Sequence, residues 1–88
     1  MTYTVFSKPA CPFCDQAKAT LTAAGETYNV VHIDVGQAKV AGEMYWTKDQ
    51  LLAEFPGTRT LPLILKGQQK IGGFTDLKNY LNMLNAPV

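Results

Sequence analysis

Thr2-Tyr3-Thr4-Val5-Phe6-Ser7-Lys8-Pro9-Ala10-Cys11-Pro12-Phe13-Cys14 decides how this chain is read, because a β-type alternation runs straight into a pair of cysteines. Thr2 to Phe6 alternates polar and apolar residues of strand-favouring type and predicts a strand; Ser7 to Ala10 reads as the loop that presents the cysteines. Pro12 suits the first helical position, where its missing N–H has no intrahelical partner and its ring fixes a helical φ. A helix therefore starts at the motif, with the two thiols three residues apart on one side of its first turn. Cys11, just ahead of that start, meets free backbone N–H groups and the positive end of the helix dipole, both of which stabilise a thiolate. The thiolate is the nucleophilic form, and sites of this kind titrate at roughly 3.5–7.5 against about 8.5 for an ordinary cysteine. Cys11 is thus expected to be the attacking residue and Cys14, one turn inside the helix and less exposed, the resolving one.

The chain has 2 cysteines and 1 histidine. A closed zinc site needs four ligands, and only His32 stands beside the pair. A purely structural disulfide closing so short a loop would constrain the unfolded chain little. A redox dithiol is the reading that remains. It fits a reducing compartment, where a lone cysteine pair is catalytic more often than structural.

Eighty-eight residues make one small domain, 1–88, with a single core. Charged residues are only 17% of the chain and the net charge is +1, without a run of like charges, so nothing suggests nucleic acid or an anionic membrane as partner. The N-terminal residues lack a basic segment and a long apolar stretch, and no segment approaches spanning length, so an intracellular, cytoplasmic protein is expected.

Outward from the motif, Phe13, Ala17, Leu21 and Ala24 recur at helical spacing, predicting a helix over 12–24 that Gly25 ends. Thr27 to Ile33 reads as a second strand, completing a β-α-β unit expected to be parallel. Residues 36–46 stay open: two glycines oppose a long helix, while Ala38, Val40, Ala41 and Met44 suit a short one. Thr47 and Gln50 form a capping box ahead of a helix over about 48–55, stopped by Pro56-Gly57. Leu61 to Leu65 is a third strand, residues 66–69 a turn, and Lys70-Ile71 a short fourth strand. Thr75 or a neighbour caps a last helix in which Leu77, Tyr80, Leu81 and Leu84 share a face.

Three blocks now carry a resemblance. Lys8-Pro9-Ala10-Cys11-Pro12-Phe13-Cys14, Thr60-Leu61-Pro62 and Gly72-Gly73-Phe74-Thr75-Asp76-Leu77 resemble, in order and spacing, the three signature segments of glutaredoxins, over essentially the whole chain. The resemblance implies an α/β thioredoxin-like fold, with a four-stranded mixed sheet flanked by three helices. It implies a monomeric, glutathione-dependent thiol–disulfide oxidoreductase of the electron-transport kind, with no permanently bound cofactor or metal and glutathione as reductant. Its substrates would be protein disulfides, ribonucleotide reductase among the possibilities, and glutathione mixed disulfides.

By the same resemblance Pro62 is cis and Leu61 turns its backbone toward the dithiol, where an extended cysteinyl segment adds like a strand. Gly73, Phe74 and Thr75 would receive the γ-glutamyl carboxylate at a helix start, and Asp76 the amino group. Lys8 and Arg59 would hold the glycine carboxylate by charge-assisted hydrogen bonds. Thr60 and Phe13 complete the expected glutathione contacts. Two departures matter. Phe13 stands where many relatives have tyrosine, and Leu63 where a glutamine often follows the proline, which removes a polar contact. Tyr45 and Trp46, in the stretch that matches the family weakly, either shape partner choice or pack on the core. His32 reads as ordinary packing or exposure.

Two other functions stay in play. A thioredoxin-like electron donor would be reduced by a flavoprotein reductase. An iron–sulfur module would hold its cluster through Cys11 and glutathione between two subunits; members specialised for that role usually have glycine after the first cysteine and lack the second.

Overall fold

The computed structural model describes residues 2–33 and 42–85. Its elements are β1 (Tyr3–Ser7), α1 (Pro12–Ala23), β2 (Tyr28–Ile33), β3 (Met44–Trp46), α2 (Lys48–Glu54), β4 (Leu63–Lys66), β5 (Gln69–Gly72) and α3 (Phe74–Asn85). The strands form one mixed sheet in the order β3-β2-β1-β4-β5. β1 and β2 pair in parallel, as the β-α-β reading expects, and β4 runs antiparallel to β1.

The thioredoxin-like α/β class holds with one correction: the sheet has five strands, where four are expected. The extra strand, β3, is a three-residue run that pairs in parallel with Val31–Ile33. So short a run has no readable periodicity of its own, and tertiary packing makes it a strand. Trp46 sets its ring edge-on to Phe6 of the central strand, centroids 5.1 Å apart, and packs half-buried against the core. Of the stretch left open by the sequence, residues 36–41 lie outside the described residues.

Side chains of a strand alternate between the two sheet faces, and each face has its own core. Tyr3 and Val5 of β1 and Ile64 of β4 pack with Ala17 and Leu21 of α1 and Leu77 and Leu81 of α3. Phe6, Leu63 and Leu65 turn to the opposite face, against Val31, Ile33 and Leu51 of α2. The capping box of α2 is complete: the Gln50 N–H donates to Thr47 Oγ1 at 3.1 Å, and the Thr47 N–H donates to Gln50 Oε1 at 2.8 Å.

Two helical faces differ from expectation. In α1 the buried residues are Cys14, Ala17 and Leu21. Phe13, expected on that stripe, is 59% exposed, and Ala24 lies past the helix end, exposed. In α3, Leu84 is exposed, while Leu77 and Leu81 of the same face are buried.

The pairing of β1 with β4 positions the site. Phe6, near the end of β1, faces Leu63, the first residue of β4. The loop after β1 and the segment before β4 therefore meet at one edge of the sheet. β5 returns to that edge, since its last residue, Gly72, pairs with Ile64. Three loops converge there, and each carries one of the sequence blocks.

Candidate functional site

Cys11 and Cys14 are joined by a disulfide across the first turn of α1, with Cα atoms 5.3 Å apart. Cys11 is the N-cap, in extended conformation, and its Sγ accepts the Cys14 N–H at 3.3 Å. One backbone donor thus already points at the sulfur that is to carry the negative charge, and the helix dipole adds to it. Cys14 is fully buried while Cys11 keeps a 6% exposed edge. Only Cys11 offers its sulfur to an external partner. The loop that delivers it holds Ala10 at φ +54, a left-handed conformation that no local signal announces and that costs a non-glycine residue about 1–2 kcal/mol.

Pro62 follows a cis peptide bond. The Leu61 carbonyl oxygen lies 3.7 Å from Cys11 Sγ, so backbone polar groups and the reactive sulfur share one surface.

The third block builds the opposite wall. Helix α3 begins at Phe74, so Thr75 lies inside the first turn and is not the cap. Gly73 precedes the helix: its carbonyl accepts the Leu77 N–H at 2.9 Å, and its N–H donates to Asp76 Oδ2 at 3.0 Å. Asp76 thus closes half of a capping box. Gly72 is required twice over. Its φ is +124, and a Cβ there would collide with the Asp76 carboxylate. The Phe74 ring lies near the outward-turned Phe13 ring, centroids 6.1 Å apart, so Phe13 belongs to the cleft.

All these parts face one cleft of about 560 Å³. Lys8, Arg59 and Thr60 line one side; Leu61, Pro62, Cys11 and Phe13 line the middle; Gly73, Phe74, Thr75 and Asp76 line the other. Every position expected to contact glutathione is therefore gathered around Cys11. Ala10 and Pro12, which the sequence reading left out, line it as well. Positive charge stands on one wall, while a carboxylate and a helix start stand on the other.

Leu63 behaves differently. It is 3% exposed and packs in the core on the α2 face, outside the residues that line the cleft. His32 lies outside the cleft, stacked on Tyr45 with centroids 5.1 Å apart and with its Nε2 3.5 Å from Glu43 Oε1. Among the described residues, no group of three or more His, Cys, Asp or Glu side chains is disposed to hold a metal.

Comparison with known proteins agrees with this geometry. The family model for glutaredoxins matches residues 3–71. A glutaredoxin of Neisseria meningitidis serogroup A is 40% identical over 76 residues, which cover 86% of this chain and 80% of the relative. Glutaredoxin 3 of Escherichia coli is 32% identical over 73 residues, 83% of this chain and 77% of the relative. Among solved structures, reduced E. coli glutaredoxin superposes with a TM-score of 0.64 at 28% identity, over 98% of this chain and 100% of the other. Glutaredoxin 1 of Francisella tularensis gives a TM-score of 0.68 over 96% of each chain; at 23% identity that likeness is one of fold.

Proposed function

The chain belongs to the glutaredoxin family and carries the cysteine pair of a thiol–disulfide oxidoreductase, and from that premise we propose that glutathione is its reductant and that protein disulfides and glutathione mixed disulfides are its substrates. The observation that carries the reading is the polarity of the cleft around Cys11. Lys8 and Arg59 stand on one wall, the α3 start and Asp76 on the other. Glutathione has a carboxylate at each end and an amino group at one, and such a molecule laid across Cys11 meets a partner at both walls.

With a protein disulfide, the Cys11 thiolate attacks one sulfur, and the other leaves as a thiolate that takes a proton from solvent. Cys14, deprotonated, attacks the Cys11 sulfur, expels the second substrate thiol and leaves the Cys11–Cys14 disulfide. Two glutathione molecules then supply two electrons and leave as glutathione disulfide. With a glutathione mixed disulfide, Cys11 attacks the glutathione sulfur and releases the protein thiol; a second glutathione frees Cys11, and Cys14 is not needed. Exchange of this kind requires no metal or prosthetic group.

Action as a monomer belongs to the same reading, and a reducing cytoplasm suits a pair recycled by glutathione. Ribonucleotide reductase is one substrate of suitable chemistry. A coupled assay with glutathione, glutathione reductase and NADPH tests the proposal: NADPH consumption is expected to require both this protein and glutathione. Reduction by a flavoprotein thioredoxin reductase, with none by glutathione, would overturn it in favour of the thioredoxin-like donor.

A further inference from the structure

The aromatic rim of the dithiol cleft continues onto α3. Phe13 stands 59% exposed on the turn that carries Cys11, and its ring centroid lies 6.1 Å from that of the half-buried Phe74. Over Phe74 lies the Lys78 ammonium, 5.6 Å from the ring centroid. Lys78 is exposed and lies outside the residues that line the cleft. A cation held over an aromatic face keeps its charge and its donors. Among the described residues no carboxylate pairs with it. Asp15, at the start of α1, is paired with Lys18. Asp76 receives the Gly73 N–H and, two positions from Lys78 on one helix, does not face it.

We infer that Lys78 sets a preference among protein disulfides: it draws an acidic residue of the substrate segment, while the Phe13–Phe74 pair seats an apolar residue between that acid and the attacked cysteine. The inference rests on the oxidoreductase reading above and adds a substrate preference to it. A protein cysteine joined to Cys11 brings its flanking residues to this rim, because Phe13 and Phe74 line the same cleft as the sulfur. The spacing suits an extended segment. Its side chains two residues apart point to the same side, roughly 6.6 Å from one another. The two steps here are of that size: 6.1 Å from the Phe13 ring to the Phe74 ring, and 5.6 Å from the Phe74 ring to Lys78 Nζ. With the substrate cysteine turned down to Cys11, the residue two positions away turns down onto the aromatic pair, and the residue four positions away turns down to Lys78. The preferred partner is therefore a cysteine with an apolar residue two positions away and Asp or Glu four positions away.

The test uses the pre-reduced protein in single turnover on disulfide-bridged peptides of equal ring size. Their flanks outside the ring mirror each other, so either cysteine presents the pattern in either chain direction. One peptide has Leu two and Glu four residues from each cysteine; a second has Lys in place of Glu, and a third has Ser in place of Leu. The protein dithiol supplies two electrons and two protons: the peptide disulfide becomes two thiols as Cys11 and Cys14 become the disulfide, so no glutathione is needed. Dividing each second-order rate constant by that for dithiothreitol removes the peptide's own reactivity. The Leu-Glu peptide is expected to react about fivefold faster than Leu-Lys, the size of an exposed ion pair, and the ratio should fall toward one as salt is added. Lys78→Glu should invert that ratio, which a structural role of Lys78 would not do. An acid early in α3 suits the helix dipole, so the charge reversal leaves the helix intact. Leu-Glu should also outpace Ser-Glu, and Phe13→Ala should bring those two together. On a small glutathione mixed disulfide Lys78→Glu should keep the wild-type rate, since Lys78 does not line the cleft. Equal rates for Leu-Glu and Leu-Lys in the wild-type protein, or a ratio unchanged in Lys78→Glu, would overturn the inference. A dimer in sedimentation that Lys78→Glu dissociates would give this face to a second copy of the chain and overturn it too. Absence of glutathione-coupled NADPH consumption with the peptide ratios intact would instead count against glutathione as the reductant and leave the role of Lys78 standing.

Discussion

The two walls of the dithiol cleft are built by different means. One is made of long charged side chains, Lys8 and Arg59, both exposed. The other is made of backbone: a glycine at φ +124, a second glycine whose N–H is held by Asp76, and the opening turn of α3. Exposed cations recognise charge at little cost in geometry, but solvent and salt screen them. A helix start recognises through N–H groups that no side-chain truncation removes, and so depends on the turn that aims them. The cationic wall should therefore be tolerant and salt-sensitive, and the backbone wall intolerant and salt-insensitive.

The floor between the walls sets the scale for any such comparison. Cys11→Ser is expected to abolish all disulfide reduction. Cys14→Ser should keep activity on glutathione mixed disulfides and lose it on protein disulfides that need internal resolution. Steady-state rates on both substrate types check this, and activity of Cys11→Ser with an inactive Cys14→Ser would reverse the roles.

Gly72→Ala strikes the backbone wall. A Cβ at that φ, driven against the Asp76 carboxylate, should cost about 1–3 kcal/mol. In a domain of this size each kcal/mol lowers Tm by roughly 4–8 °C. The KM for glutathione mixed disulfide should rise in parallel, because the α3 start is displaced. An unchanged Tm and KM would show that this turn does not need its glycine.

Asp76→Asn separates two roles of one side chain. The amide oxygen can still accept the Gly73 N–H, while the charge that would meet the glutathione amino group is gone. We expect KM to rise with kcat nearly unchanged, the pattern of lost uniform binding, and with Tm lowered by only a few degrees, since a charge near a helix start contributes about 0.3–1 kcal/mol. A lowered Tm with an unchanged KM would leave Asp76 as a cap alone.

Lys8→Ala tests the cationic wall. Exposed ion pairs contribute about 0.2–1 kcal/mol, so KM should rise by no more than roughly fivefold. Salt should erase most of the difference between Lys8→Ala and the wild-type protein. A large, salt-insensitive effect would mean that the two walls work alike.

The smallest effect belongs to the loop joining wall to floor. Ala10→Gly removes the steric cost of φ +54 but frees the unfolded chain, two effects of similar size at about 1 kcal/mol each. Tm should change by only a few degrees, with activity retained. A marked loss of activity would show that the alanine itself positions Cys11.

What the sequence determined by itself lies within a turn or two of the residues concerned. The start of α1 at Pro12, the cysteine pair on its first turn, the capping box of Thr47 and Gln50 and the glycine-led opening of α3 are settled by hydrogen bonds and sterics over three or four positions. Such features are legible in any stretch that contains them. The resemblance carried the rest of the cleft, because contact between Cys11 and Leu61 joins residues 50 positions apart, and no local pattern shows which distant loop a strand will bring near.

Tertiary structure alone decided the faces and edges. Phe13 fits a helical core stripe by spacing, yet it turns outward to the cleft because Cys14 takes the buried position. Leu63 follows a cleft residue but points the opposite way, since adjacent residues of a strand face opposite sides of the sheet. Met44 to Trp46 became a strand because β2 offered a free edge and Phe6 a ring to pack on. Phe13 and Lys78 come to one surface only where the starts of α1 and α3 meet. Burial and shape of this kind are properties of several segments at once, and for that reason no single segment of the sequence announces them.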